Sequence, residues 1–186
     1  MSARKKVTVI GGGMTGGAIA QRLVERGIAD VVIQDDPQFA GTFHHGKALD
    51  ETQAASWLGF DTKITATDGW DATANSDVVV VTAGAPRKPG MSREELLNGN
   101  ADIVRAKVTE AAKASPNSVI IIFSNPMDAM CHVALKASGR PSVCGVTTWL
   151  LVMPLPKVIW APPRRNAPAG LPGVPMVMLL NRVPGA

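Results

Sequence analysis

The strongest constraint on the fold of this chain is a set of short, nearly continuous apolar runs. Residues 7–10 (VTVI), 31–33 (VVI), Val78–Val81 (VVVV) and 119–123 (VIIIF) are nearly continuous in valine and isoleucine. A strand with one wet face alternates apolar and polar side chains. A strand apolar at successive positions is covered on both faces, as in a parallel sheet between two layers of helices. The segments between the runs have the spacing of such helices. In residues 15–26, Ile19, Leu23 and Val24 fall on one helical face. Residues 46–58 also read as a helix. Residues 63–67 (KITAT) alternate, as in a more exposed strand. Ser92 and Glu95 match a capping box that opens a helix running to about residue 114. Asn125-Pro126 breaks the fifth run, residues 127–137 read as helical, and residues 143–145 can begin a sixth strand. The expected class is α/β, a doubly wound parallel sheet of the Rossmann-like kind.

In such sheets ligands bind beyond the carboxyl ends of the strands, so the loops after Ile10, Ile33, Val81 and Phe123 carry the functional signal. The first is VIGGGMTGG, in which Gly11, Gly13 and Gly16 form G-x-G-x-x-G between a strand and a helix. Glycine allows the tight turn and lets backbone approach a pyrophosphate at the helix N-terminus. The pattern alone also fits a purely structural turn. Its context adds Asp35, 19 residues after Gly16 at the end of the second strand. A carboxylate there can accept both ribose hydroxyls of an adenosine and repel a 2′-phosphate. Asp36 is adjacent, so the assignment can slip by one. The third loop, GAPRKPGMSREE, carries Arg87 and Arg93 directly after a buried strand. They read either as solvated loop charges or as a bidentate clamp for carboxylates on a loop that closes over a cofactor.

SDVVVVTAGAPRKPGMSREELL, with VIGGGMTGG before it and VIIIFSNPMDAM after it, resembles the lactate/malate dehydrogenase family over about residues 6–139. It is most similar to the bacterial NAD-dependent malate dehydrogenases of the lactate-dehydrogenase-like type, which serve the tricarboxylic acid cycle. The resemblance implies NAD as cofactor, a small dicarboxylate (malate or oxaloacetate) as substrate, and a homo-oligomer whose interface can be incomplete here. It matches Gly11, Gly13 and Gly16 to the phosphate-binding turn and Asp35 to the ribose carboxylate. Thr82, Ala83 and Gly84 match the segment beside the cofactor. Arg87 matches the position that selects a second substrate carboxylate, and Arg93 the loop arginine that polarises the reacting carbonyl. Asn100 matches a residue near the cofactor, and Asn125 one that contacts both substrate and nicotinamide. The link DDPQFAGTFHHGKALD is about three residues longer than is usual in that family. His44 and His45 within it are expected at the surface and not as ligands. His132 is expected on a helix, packed or half-exposed. No metal ligands are expected, and no histidine has a recognisable Asp partner.

The resemblance also specifies what is missing. The family's Asp-x-x-Arg and Gly-x-His-Gly-Asp motifs, which supply the acid/base histidine, its aspartate and a second substrate arginine, do not occur. No acid follows Asp128 and no histidine follows His132, so no catalytic residue is assigned. Residues 1–128 hold 13 Lys and Arg against 15 Asp and Glu, whereas residues 129–186 hold six basic residues and no acid. Nine prolines fall within residues 141–186, too many for regular helices. Residues 1–140 are therefore expected to be an NAD-binding domain, and 141–186 an irregular tail from truncation or a shifted reading frame. Pro175-Met176-Val177-Met178 read one frame over permits His-Gly-Asp, although Asp-x-x-Arg does not emerge in that frame near residue 150. The expected function is a truncated, inactive NAD-dependent malate dehydrogenase. The alternative is a non-catalytic NAD-binding module. The basic tail lacks the aromatic interleaving of a nucleic-acid surface. No apolar run reaches the ~20 residues of a membrane span. Two cysteines, Cys131 and Cys144, form no disulfide framework and suit a reducing, cytoplasmic setting.

Overall fold

A computed structural model describes residues 4–36, 38, 43–87, 89–140 and 144–145. Among the described residues the elements run, in chain order, β1 (Lys6–Ile10), α1 (Met14–Glu25), β2 (Asp30–Gln34), α2 (Phe43–Leu58), β3 (Ile64–Thr67), a 3₁₀ turn (Asp71–Thr73), β4 (Val78–Val81), α3 (Arg93–Ala114), β5 (Val119–Ile122), α4 (Met127–Ser138) and β6 (Cys144–Gly145). The strands form one parallel sheet in the order β3-β2-β1-β4-β5-β6. Val9 faces Ile33 across β1–β2 and Val80 across β1–β4, and Val80 faces Ile121 across β4–β5. The order leaves β1 in two directions, so β1 and β4 flank the switch point of a doubly wound sheet.

The apolar runs are continuous because successive side chains enter two different cores. Val7, Val9, Val31, Ile33, Ile64 and Val80 pack with Ala20, Val24 and Ala48 from α1 and α2. Ile10, Val79, Val81, Ile120 and Ile122 pack on the other face with Val104 and Val108 of α3 and Met130 and Cys131 of α4. Each buried valine or isoleucine removed from water contributes about 1.5–3 kcal/mol. β3 is the less buried outer strand, with only Ile64 fully covered.

The capping box is present. Ser92 Oγ accepts from the Glu95 N–H at 3.1 Å, and the Glu95 carboxylate accepts from the Ser92 N–H at 2.7 Å. That second bond holds the Glu95 carboxyl below the usual carboxylate range. α2 begins at Phe43, three residues before the helix expected from residue 46. The expected irregular tail lies outside the described residues, except for Cys144 and Gly145, which form β6 against Ile121 and Ile122. Among the described residues no helix is long and apolar enough to cross a membrane.

Candidate functional site

The turn after β1 is fixed by steric requirements at two glycines. Gly11 has φ +99°, and a Cβ there would lie 2.7 Å from Thr82 Oγ1. At Gly16 a Cβ would lie 1.8 Å from the Gly11 carbonyl oxygen and 2.8 Å from Thr82 Oγ1. These are packing constraints between β1, α1 and the residue that follows β4. Thr82 completes the joint by donating its hydroxyl to the carbonyls of Ile10 (3.0 Å) and Gly11 (3.1 Å).

Gly13 differs. It is the N-cap of α1, and a Cβ there would meet nothing within 4 Å. No side chain caps the helix, and no acidic residue occupies its first turn. The N–H groups of that turn therefore have no intrahelical acceptor. With the helix dipole they form a cradle for an anion, open on the side where a side chain is lacking.

Asp35 follows β2 directly. Its Oδ2 accepts from the Gly12 N–H at 2.6 Å and its Oδ1 from the Asp36 N–H at 2.8 Å. An ionised carboxylate has about four acceptor positions, so each oxygen keeps one for a hydroxyl. Asp36 uses its own carboxylate on the Gln38 N–H at 3.0 Å. Of the two adjacent carboxylates, Asp35 is the one tied to the glycine turn.

On the far side of the switch point, Asn100 on α3 is buried and uses its whole amide. Its Oδ1 accepts from the Ala85 N–H at 2.7 Å. Its Nδ2 donates to the Ala85 carbonyl at 3.3 Å and to the Asn125 carbonyl at 2.6 Å. Asn100 therefore ties the loop after β4 to the loop after β5, and lies against Gly84, where a Cβ would come within 3.4 Å of Asn100 Oδ1. Ser124 strengthens the same junction by donating to the Ala83 carbonyl at 2.6 Å. The Asn125 side chain is left exposed beside it.

The two arginines are not brought together by any shared partner. Arg87 is exposed, and its Nε donates to the Met91 carbonyl of its own loop at 3.1 Å. Arg93 is exposed at the first position of α3 and makes no ion pair among the described residues. The terminal nitrogens of Arg87 also have no partner among the described residues. Both forks are available to an incoming carboxylate.

A family profile described as lactate/malate dehydrogenase, NAD binding domain, matches residues 5–143. The chain belongs to the lactate/malate dehydrogenase family. It is 51% identical over 138 residues to malate dehydrogenase of Thermomicrobium roseum, a match covering 74% of this chain and 44% of that protein. Against malate dehydrogenase of Bacillus subtilis it is 47% identical over 140 residues, 75% of this chain and 45% of the relative. Malate dehydrogenase of Picrophilus torridus superposes with a TM-score of 0.72 at 38% identity, over 77% of this chain and 46% of that one. A lactate dehydrogenase of Cryptosporidium parvum, solved with lactic acid and NAD, gives 0.71 at 39% identity over 78% and 45%. The match thus spans less than half the length of these relatives. NAD is the cofactor of the matched domain, and the uncapped α1 cradle and the half-satisfied Asp35 carboxylate suit a pyrophosphate and a ribose.

The surface expectation is corrected for His44, whereas His45 is exposed as expected. His44 is fully buried and not at the surface: its Nε2 lies 2.8 Å from Asp68 Oδ1. His45 is half-exposed, with its Nε2 2.9 Å from the same oxygen. Both histidines thus have an Asp partner. The cause is the early start of α2, whose first turn is pressed against Gly12 and the end of β3. A Cβ on Gly12 would lie 2.5 Å from His44 Cβ. Asp68 is 24 residues away in sequence, so no local pattern announces it. The adjacent pair of histidines was the available signal. His132 lies exposed on α4.

Proposed function

We propose that this chain is the cofactor-binding half of an NAD-dependent malate dehydrogenase and that it holds NAD without turning it over. The carrying observation is the uncapped N-terminus of α1, open at Gly13, with Asp35 tied to the same turn. In this reading Gly11 and Gly16 shape the turn and Gly13 admits the pyrophosphate. Asp35 takes the adenosine ribose hydroxyls and disfavours a 2′-phosphate. Thr82 and Gly84 line the switch point, held by Asn100. When bound, NAD supplies a hydride acceptor at nicotinamide C4.

The substrate side is carried by Arg87, Arg93 and Asn125. Arg87 pairs with the carboxylate that distinguishes oxaloacetate or malate from a monocarboxylate. Arg93 hydrogen-bonds the reacting oxygen, and Asn125 orients substrate beside the nicotinamide. In this sequence no acid follows Asp128 and no histidine follows His132, and no donor is assigned for the proton that must reach the oxygen on C2 as the hydride reaches C2. Loss of a positioned acid or base costs about 10²–10⁴-fold. Of the tail expected over residues 141–186, Cys144 and Gly145 belong to the sheet as β6; the rest is read as lying outside the domain, and the setting is read as cytoplasmic.

The test uses the purified full chain. NADH fluorescence titration is expected to saturate, with NADPH weaker, and oxaloacetate-dependent NADH oxidation to fall at least a hundredfold below an ordinary turnover of about 10 s⁻¹. Absence of NADH binding would sink the cofactor assignment. Turnover at an ordinary rate would sink the inactivity. Tighter NADH binding in the presence of oxaloacetate supports the arginine clamp. Binding indifferent to oxaloacetate favours an NAD-binding module without substrate recognition.

A further inference from the structure

We propose that His44, His45 and Asp68 form a site for a borderline-soft divalent metal ion of the zinc class, separate from the cofactor cradle. Two imidazole Nε2 atoms converge on one carboxylate oxygen at 2.8 and 2.9 Å, and the three ligand atoms all lie within 4.8 Å of one another. Zinc bonds of ~2.0–2.2 Å in tetrahedral geometry separate neighbouring ligands by about 3.3 Å. The two N···O separations therefore open by about half an ångström to admit the ion. Two nitrogens and one oxygen are donors that zinc and its neighbours accept and that magnesium or calcium do not favour.

The burial gradient gives the site an anchor and an entrance. His44 is fully covered, whereas the His45 side chain is 44% exposed and Asp68 50%. The rings stand 4.3 Å apart at their centroids with a tilt of 44°. Three protein ligands leave the fourth position to water or an exogenous ligand, reached from the exposed side.

Hydrogen bonding alone does not fully satisfy this cluster. His44 Nδ1 is buried without a partner among the described residues. With the proton on Nε2, facing Asp68, Nδ1 is a buried bare acceptor. With an ion on Nε2, Nδ1 carries the proton and still lacks an acceptor. Zinc-bound histidines ordinarily donate that second N–H, and its loss costs about 10–100-fold in affinity. The site is therefore an exchangeable one, weaker than a structural zinc site by about that factor.

The test is isothermal titration of the full chain with zinc chloride, paired with the visible absorption of cobalt(II), whose bands intensify in four-coordinate sites. Expected is one equivalent of saturable zinc and a tetrahedral cobalt spectrum. His45→Gln keeps an N–H for Asp68 but removes a metal-binding imidazole. Asp68→Asn keeps the volume. Each is expected to weaken zinc at least tenfold, while His132→Ala leaves it unchanged. Both substituted side chains are half-exposed, and circular dichroism checks that each variant is folded. No saturable zinc binding by the unsubstituted chain overturns the proposal. So does undiminished affinity in folded His45→Gln and Asp68→Asn, because the ion is then held elsewhere. None of these readouts depends on NAD.

Discussion

Replacing Gly13 and Gly16 separately by alanine separates binding from folding within one four-residue turn. At Gly16 the new methyl would lie 1.8 Å from a backbone oxygen of Gly11 and 2.8 Å from Thr82 Oγ1. Neither atom is the end of a flexible side chain, and Thr82 is itself bonded to Ile10 and Gly11. Relief requires α1 to move off β1. Overpacking typically costs about 1–3 kcal/mol, and contact with backbone places Gly16→Ala at about 3 kcal/mol or beyond. That is a large share of the ~5–15 kcal/mol that holds a domain folded. At Gly13 the methyl meets nothing within 4 Å, and φ of −64° is open to alanine. Alanine is a poorer N-cap by roughly 0.5–1 kcal/mol, offset by about 0.4–1 kcal/mol from the stiffer unfolded chain. Gly13→Ala should leave stability nearly unchanged. Yet it fills the cradle proposed for the pyrophosphate at the first-turn N–H groups, and NADH affinity should fall at least tenfold, about 1.4 kcal/mol. Urea unfolding followed by tryptophan fluorescence and NADH titration measure both quantities. A folded Gly13→Ala that binds NADH like the unsubstituted chain would refute the cradle. A Gly16→Ala as stable as the unsubstituted chain would refute the packing argument.

Asn100→Ala removes all three bonds that join Ala85 to Asn125, and should lower stability by about 1–3 kcal/mol, seen as a lower urea midpoint at unchanged slope. Glu51 on α2 is buried, and desolvation, then the charge of Glu25, push its carboxyl above the usual range. The fold thus binds more protons than the unfolded chain between the two pKa values, so stability falls as pH rises through that window. Glu51→Gln is expected to stabilise the protein at pH 7 by about 0.5–2 kcal/mol and to have no such effect below the unfolded pKa. Thermal melts at pH 3.5 and 7 decide it, an equal gain at both refuting the charge argument. Ser92→Ala breaks the capping box and should cost about 1 kcal/mol, with faster amide exchange at Glu95. Unchanged exchange there would show the cap to be idle.

The sheet was legible from the sequence because its signal is short-range in the chain and strong in energy. Val78–Val81 can be continuous only if both faces are dry, and the two cores on either side of β4 meet that condition. Ser92 and Glu95 were equally legible, since a capping box closes within four residues. What the sequence did not reveal depends on partners brought from far along it. The burial of His44 is decided by Gly12 and Asp68, and the bracing role of Asn100 by carbonyls 15 and 25 residues away. The family resemblance marked Asn100 as lying near the cofactor, and its geometry adds that both ends of its amide are already engaged by backbone.

The two halves of the candidate site differ in how far the chain completes them. The cofactor side is closed by contacts within residues 10–35 and Thr82: the Gly11 turn, the Gly16 contact, the Thr82 hydroxyl and the Gly12–Asp35 bond. The Gly12–Asp35 bond ties the turn after β1 to the end of β2, and the others join elements at the β1–β4 switch point, where the sheet order reverses. Its shape is therefore set by the same packing that folds the domain, and a ligand there meets a preorganised surface. Arg87 and Arg93 have no comparable support. One bonds only its own loop and the other is unpaired among the described residues, so a carboxylate must order both long side chains as it binds, at roughly 0.5–1.5 kcal/mol each. Cofactor binding should therefore persist wherever the sheet is folded. The proposed dicarboxylate binding, by contrast, depends on whatever else faces the loop after β4.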